Sequence, residues 1–244
     1  ARTGAMTIAV PSWQVPGTWL ENLDALADID WIGGVELLFF SYDEAARRDF
    51  VAERGRIAAY SQRFSFSLHL PDPLGPEALD LAAATESFVG LYVFHPYSAS
   101  AGDAGADAWT RTVKTLCDSY GASKFAMEYT SAAAFDHGLE RLRSVRRAPR
   151  DTPATALRIC ADTGRLVLDG ADPAAWIKDR ATSMAELHMH AARGGKDHFS
   201  LGAEDSWLPA VAAEAKARDW RVVLETFSLE KTRASYDCLK RWLE

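Results

Sequence analysis

Ionisable side chains recur at the ends of the short apolar runs in this chain. SFSLHLP carries His69, LYVFHPY carries His95, KFAMEYT carries Glu128, RICADTG carries Asp162, AELHMHA carries His188 and His190, and VVLETF carries Glu225. Such groups are costly in apolar surroundings unless they are paired or bound to a cation. Taken singly, each has a plain structural explanation: a histidine satisfied by a hydrogen bond, or a carboxylate that caps a helix or forms half of an ion pair. Taken together, His69, His95, Glu128, Asp162, His188 and Glu225 form a nitrogen and oxygen ligand set suited to Zn2+, Mn2+ or a similar divalent ion. His190 is read as support for that site or as polar lining. His137, inside an expected helix beside Asp136, is read as a surface residue.

The elements that must position these groups alternate along the chain. Apolar runs at 7–12, 34–40, 65–70, 91–95, 124–129, 157–162, 185–190 and 221–227 read as strands. Between and after them, residues 19–28, 43–60, 76–88, 107–121, 135–146, 172–179, 207–218 and 229–243 read as helices. Asp172-Pro173 and Ser206-Trp207-Leu208-Pro209 supply a cap residue and an early proline at two helix starts. Eight strand-helix units in 244 residues give about 30 residues each, the length of a βαβ repeat, and no Gly/Ser/Pro-rich linker divides the series. The expected fold is α/β, a single (β/α)8 TIM barrel over 6–244, in which the strand ends converge on one mouth. Residues 1–5 carry no pattern and are expected to be a flexible terminus.

Composition narrows the partners. With 27 basic against 34 acidic residues and a formal charge of -7, the surface as a whole repels a polyanion, so long nucleic acid is disfavoured. No apolar run reaches the ~20 residues of a membrane span and no signal peptide is recognisable, so no membrane partner and a cytoplasmic location are expected. Cys117, Cys160 and Cys238 are an odd set without CxxC spacing, read as reduced packing residues. The basic block with Arg141, Arg143, Arg146, Arg147 and Arg150 reads as a solvated helix face and loop, with a phosphate-contacting patch as the alternative.

The motifs VFHP, MEYT, CADTG, LHMH followed by HFSLG, and LET resemble the xylose isomerase-like TIM-barrel superfamily, which contains the endonuclease IV type of abasic-site nuclease (AP endonuclease family 2) and many sugar isomerases and epimerases. For the isomerases, the resemblance implies one metal held by Glu128, Asp162, His188 and Glu225. For the nuclease-like members it implies a second ion on His69 and His95, bridged by Glu128. Those members bind a third ion as well, and here the sequence departs from them. Arg165 stands where a histidine is expected, and Lys196-Asp197-His198 has lysine in place of aspartate. Arg165 is therefore read either as a fixed charge for a phosphate oxygen or as a surface residue paired with Asp169 or Asp172. The stretches VPSWQVPGTWLENL, GGVELLFF and SLHLPDPL are further similar to the cobamide-remodelling phosphodiesterase branch, which opens the nucleotide loop of corrinoid cofactors.

One ion suits proton or hydride transfer in a sugar, whereas two ions about 3.5–4 Å apart suit an in-line phosphoryl displacement. The histidine pair tilts the expectation to a phosphodiesterase with two divalent ions acting on a small phosphodiester such as the nucleotide loop of a cobamide. Glu128, Glu225 and Arg165 are its expected catalytic residues. Arg165, His198, Trp13 and Tyr97 are expected to contact the substrate, the two aromatic rings as apolar walls. Glu36 is read as a partner behind the ligands or as an ion-pair residue inside the barrel. The alternatives are a single-metal sugar isomerase or epimerase with Glu128 and Glu225 as acid and base, and a ligand-binding barrel without turnover.

Overall fold

The computed structural model describes residues 6–97, 102–145 and 157–243. Its strands are β1 (Thr7–Pro11), β2 (Gly34–Leu38), β3 (Ser65–His69), β4 (Val89–Phe94), β5 (Phe125–Glu128), β6 (Arg158–Asp162), β7 (Met184–Met189), a small antiparallel pair β8 (Ala191–Arg193) and β9 (Lys196–Phe199), and β10 (Arg221–Leu224). Eight of them close a parallel barrel in the order β1-β10-β7-β6-β5-β4-β3-β2, as the eight apolar runs anticipated. The helices outside it are α1 (Trp19–Leu26), α2 (Glu44–Ala59), α3 (Glu77–Thr85), α4 (Gly102–Tyr120), α5 (Ala132–Val145), α6 (Thr163–Leu168), α7 (Pro173–Asp179), α8 (Leu208–Ala217) and α9 (Leu229–Leu243). Among the described residues no helix is long and apolar enough to cross a membrane.

Alternation along the strands separates two environments. Leu37, Leu68, Met127, Ala161, Leu187, Val222 and Leu224 point outward into one large core shared with the helices. A small apolar group, Val93, Ala126 and Cys160, forms a separate buried cluster. The alternate positions Glu36, Ser67, Glu128, Asp162, Glu186 and His188 are polar and buried. Runs that read as uniformly apolar therefore carry a polar stripe on one side.

Several boundaries differ from expectation. Helix α4 starts at Gly102 rather than at 107, because Ala106 already packs into the core one turn ahead of Trp109 and Thr110. Ser206 does not cap α8. That helix begins after Trp207 with no side-chain cap, while Asp205 accepts from the Gly202 N–H and pairs with Arg193. Asp172 does cap α7, accepting from the Ala174 N–H with Pro173 beside it. Helix α6 and the β8–β9 hairpin are additional. The hairpin turns on Gly194 and Gly195, both with positive φ (58° and 77°), which the favoured two-residue hairpin turn requires. Residues 1–5 and Arg146, Arg147 and Arg150 lie outside the described residues. Arg141 pairs with Asp107 at 2.7 Å, as a solvated helix face would.

Candidate metal centre

Six of the eight barrel strands deliver a polar residue to the same mouth. His69 and Glu128 end β3 and β5, Asp162 ends β6, and His95 and Glu225 directly follow β4 and β10. In-register parallel pairing aligns these ends: Asp162 sits opposite His188, and His188 opposite Val223, two residues before Glu225. Glu128 Oε2 is the focus. It lies 2.9 Å from His69 Nε2, 3.6 Å from His95 Nε2 and 3.5 Å from His188 Nδ1. His188 Nδ1 lies 3.4 Å from Glu225 Oε2.

The charges are mutually adjusted. Burial by itself would raise the Glu128 carboxyl, but the imidazoles of His188, His95 and His69 hold it well below the usual carboxylate range. Glu225 is likewise pushed against its burial, down to about 2, chiefly by His188. Burial would lower His69, yet its contact with Glu128 raises it to about 9. Outside the cluster, Asp72 accepts or shares the Nδ1 proton of His95 at 3.0 Å, which lowers the Asp72 carboxyl.

These residues fit divalent ions. His188 Nδ1 and Glu225 Oε2 are buried without a hydrogen-bond partner, a state that is expensive unless something else satisfies them. His69, His95 and Glu128 bring one ligand atom each within 4.8 Å of one another, and so do Cys160, Glu186 and His188, and His190, His198 and Glu225. Hydrogen bonding distinguishes the last of these triplets from the first. The His198 backbone N–H donates to His190 Nδ1 at 3.0 Å, so a neutral His190 carries its proton on Nε2, which lies 2.9 Å from Asp162 Oδ1. The Nδ1 of His190 is thereby occupied, while its Nε2 stands close to Asp162 without an aligned hydrogen bond. Asp162 Oδ1 also accepts from the Arg165 N–H that starts α6, leaving Oδ2 as the oxygen available to an ion.

The cavity above these groups has a volume of about 290 Å³ and is lined by His69, His95, Glu128, Asp162, Glu225 and their neighbours Arg165, His198, Phe40 and Phe227. It shares Asp72, His95, Thr130 and Arg165 with an open cleft of about 680 Å³ bounded by Tyr97 and His137. Tyr97 is buried there, its hydroxyl donating to the Gly102 carbonyl, and His137 is exposed on the rim. Trp13 is 50% exposed and lies in a neighbouring depression, which reaches the cavity through Phe40. The surface reading of Arg165 is corrected in its partner. Arg165 pairs with Asp197 at 3.0 Å, not with Asp169 or Asp172. Asp169 is occupied by the Tyr129 hydroxyl and the Ala132 N–H, and Asp172 caps α7.

Glu36 is inside the barrel, 3.2 Å from His188 Nε2. Sequence reading missed Asp72, Glu186 and Arg221. Asp72 follows His69 by three residues in HLPD, and Glu186 precedes His188 by two, so period-two alternation places it on the same strand face. Arg221 carried no signal beyond its charge at the start of an apolar run.

Neither a known protein-family profile nor any curated protein matches the sequence. Solved structures do match the fold. A D-tagatose 3-epimerase-like protein superposes with a TM-score of 0.67 at 15% identity, covering 98% of this chain and 97% of that one. An L-ribulose 3-epimerase gives 0.65 at 15% identity, covering 98% and 94%. A family 2 AP endonuclease from Brucella melitensis gives 0.60 at 11% identity, covering 99% and 100%. The chain thus has the barrel fold shared by these epimerase-type and AP endonuclease structures.

Proposed function

We propose that this chain is a divalent-metal-dependent phosphodiesterase with two ions, zinc or manganese, acting on a small phosphodiester such as the nucleotide loop of a cobamide. The observation that carries the reading is the approach of His69 Nε2 and His95 Nε2 to the Glu128 oxygen that also faces His188. That arrangement divides the donors into two sets sharing Glu128. His69, His95 and Glu128 would hold one ion; Glu128, Asp162, His188 and Glu225 would hold the other.

Bound ions supply Lewis acidity and activate water for in-line attack on phosphorus. The remaining work falls to the chain. Asp72 orients His95 through Nδ1, and His190 Nε2 stands 2.9 Å from Asp162 Oδ1 beside the ligand set. Arg165, held by Asp197 at the cavity wall, offers a planar fork to a phosphate oxygen. Glu225 keeps its carboxylate ionised at neutral pH and His198 borders the cavity, its Nδ1–H donating to the Glu225 carbonyl at 3.0 Å. The cleft past Tyr97 and the depression beside Trp13 provide room for the two substituents of a diester.

The test is metal content of purified protein followed by turnover of bis(p-nitrophenyl) phosphate and of a cobamide. Two ions per chain, and a loss of about 10²-fold or more in His69→Ala, are expected from the several kcal/mol of charge stabilisation that an ion contributes. One ion, with full activity in His69→Ala, overturns the reading. A single-metal sugar isomerase is the second reading, favoured by the fact that Glu128, His188 and Glu225 converge without help from the histidine pair. Epimerisation of a free ketose without phosphodiester cleavage would select it.

A further inference from the structure

We infer that Glu36, with Glu186 and Arg221 beneath it, fixes the tautomer of His188 and so decides which nitrogen His188 offers to an ion. The inference rests on His188 being an ion ligand and not on which reaction the ion serves.

His188 is fully buried and its two nitrogens see different neighbours. Nδ1 faces Glu128 and Glu225 at 3.5 and 3.4 Å. Nε2 faces Glu36 Oε1 at 3.2 Å and Glu186 Oε1 at 3.4 Å. A neutral imidazole has one N–H and one lone pair. Hydrogen bonding to Glu36 puts the proton on Nε2, which leaves the Nδ1 lone pair toward Glu128 and Glu225. The opposite tautomer would aim an N–H at the ion position and a lone pair at two carboxylates.

Glu36 has no other visible employment. Its second oxygen, Oε2, is buried with no hydrogen-bond partner, so its carboxylate is held through Oε1 and His188. Glu186 is held differently. Arg221 Nε donates to Ser67 Oγ at 3.1 Å and lies 2.8 Å from Glu186 Oε2 as an ion pair without an aligned hydrogen bond, and the terminal nitrogens are anchored to the Val35 carbonyl and the Ser65 carbonyl and hydroxyl. Two carboxylates around one imidazole repel each other unless a cation stands by. Arg221 is that cation for Glu186, so Glu36 is left to take the His188 proton.

The chain of contacts runs from the first residue of β10 to the mouth. Residues at the N-terminal end of barrel strands ordinarily serve stability alone. Here Arg221, through Glu186, and Glu36 make the floor of this barrel part of the ion site. All three are positioning residues.

The experiment titrates metal-free protein with Co2+, following visible absorption, in the wild type, Glu36→Gln and Glu36→Leu, with circular dichroism as the check of folding. The ion that depends on His188 is identified as the one lost in His188→Ala. Its affinity should fall about 10-fold in Glu36→Gln, which keeps an acceptor but no charge, and toward 100-fold in Glu36→Leu, the range seen when such supporting partners are removed. Its absorption band should shift, while an ion on His69 and His95 keeps its affinity. Should Glu36→Leu fail to fold, the Gln variant and the tautomer carry the test: long-range 1H–15N correlation on metal-free wild type at alkaline pH should show His188 protonated on Nε2. Unchanged affinity in a folded Glu36 variant, equal loss at every ion, or an Nδ1-protonated His188 would each overturn the inference. None of these readouts involves substrate, so failure of the phosphodiesterase reading would show separately, as absence of turnover.

Discussion

The backbone N–H of His198 donates to Nδ1 of His190 at 3.0 Å, and the two rings stack with centroids 4.3 Å apart. His198 holds this pose with φ of +56°, a conformation that non-glycine residues adopt at a cost and that persists where surroundings over-determine it. The stack is what turns His190 Nε2 toward Asp162. His190→Gln should therefore retain the full complement of ions while weakening one of them by about 10-fold, as loss of a supporting partner does. Metal analysis after dialysis against graded chelator separates this from His188→Ala, which should lose an ion outright.

Gly164 gives a second route to the same contact. A Cβ built there would lie 2.1 Å from His190 Cε1, far inside van der Waals contact. Gly164→Ala is expected to displace His190 and to destabilise the fold by about 1–3 kcal/mol, the usual cost of overpacking. Denaturant unfolding and the chelator series should move together in this variant. A stable protein with wild-type ion retention would show that the His190 pose is dispensable.

Asp72 is half of a pair with His95, Nδ1 to Oδ2 at 3.0 Å, and plays toward His95 the part that a supporting carboxylate commonly plays toward a ligand histidine. Asp72→Asn should weaken only the ion on His69 and His95, by about 10-fold. Paired Co2+ titrations of Asp72→Asn and Glu36→Gln are expected to perturb different ions.

The charge cluster predicts opposite pH responses with and without metal. In the metal-free protein His69 is raised from 6.5 to about 9 by Glu128, so its contribution to stability is complete below about 6.5 and is lost as pH rises through 9. Glu225 is lowered from 4.5 to about 2, so its contribution is present above about 4.5 and is lost as pH falls toward 2. Melting temperature in chelator should therefore be highest between these limits and fall from pH 6.5 to 9.5. An ion requires the unprotonated imidazole, so saturating metal should raise the melting temperature most at the alkaline end, and loading at pH 7.5 in weak buffer should release protons. A metal-induced stabilisation independent of pH would contradict the proposed ligands.

The loop that carries Trp13 is held by Asn22, whose side chain accepts from the Gln14 and Val15 N–H groups and donates to the Val15 and Thr18 carbonyls. Asn22→Leu would orphan these groups in the interior, at about 1–3 kcal/mol for each buried one left unpaired. Urea unfolding should show that loss, and Trp13 emission should move toward that of a freely solvated indole.

The sequence by itself determined the strand-helix alternation, the closed eight-stranded count and the arrival of His69, His95, Glu128, Asp162, His188 and Glu225 at strand ends. These depend on local signals: apolar runs, caps and chain direction, each read within a few residues. The Gly-Gly pair that bends the β8–β9 hairpin and places His198 is a local signal too, though that hairpin was not among the expected elements. What only tertiary structure decided is which atoms meet. Glu36 and His188 are 152 residues apart, His69 and Glu128 are 59 apart, and Arg221 reaches Ser67 across 154. Those meetings depend on barrel closure and strand register, which bring distant inward-facing residues to one height. They also give His188 and His190 different surroundings, Glu36 and Glu128 around one and Asp162 and the His198 N–H around the other, a distinction between two histidines separated by a single methionine that no local pattern could make.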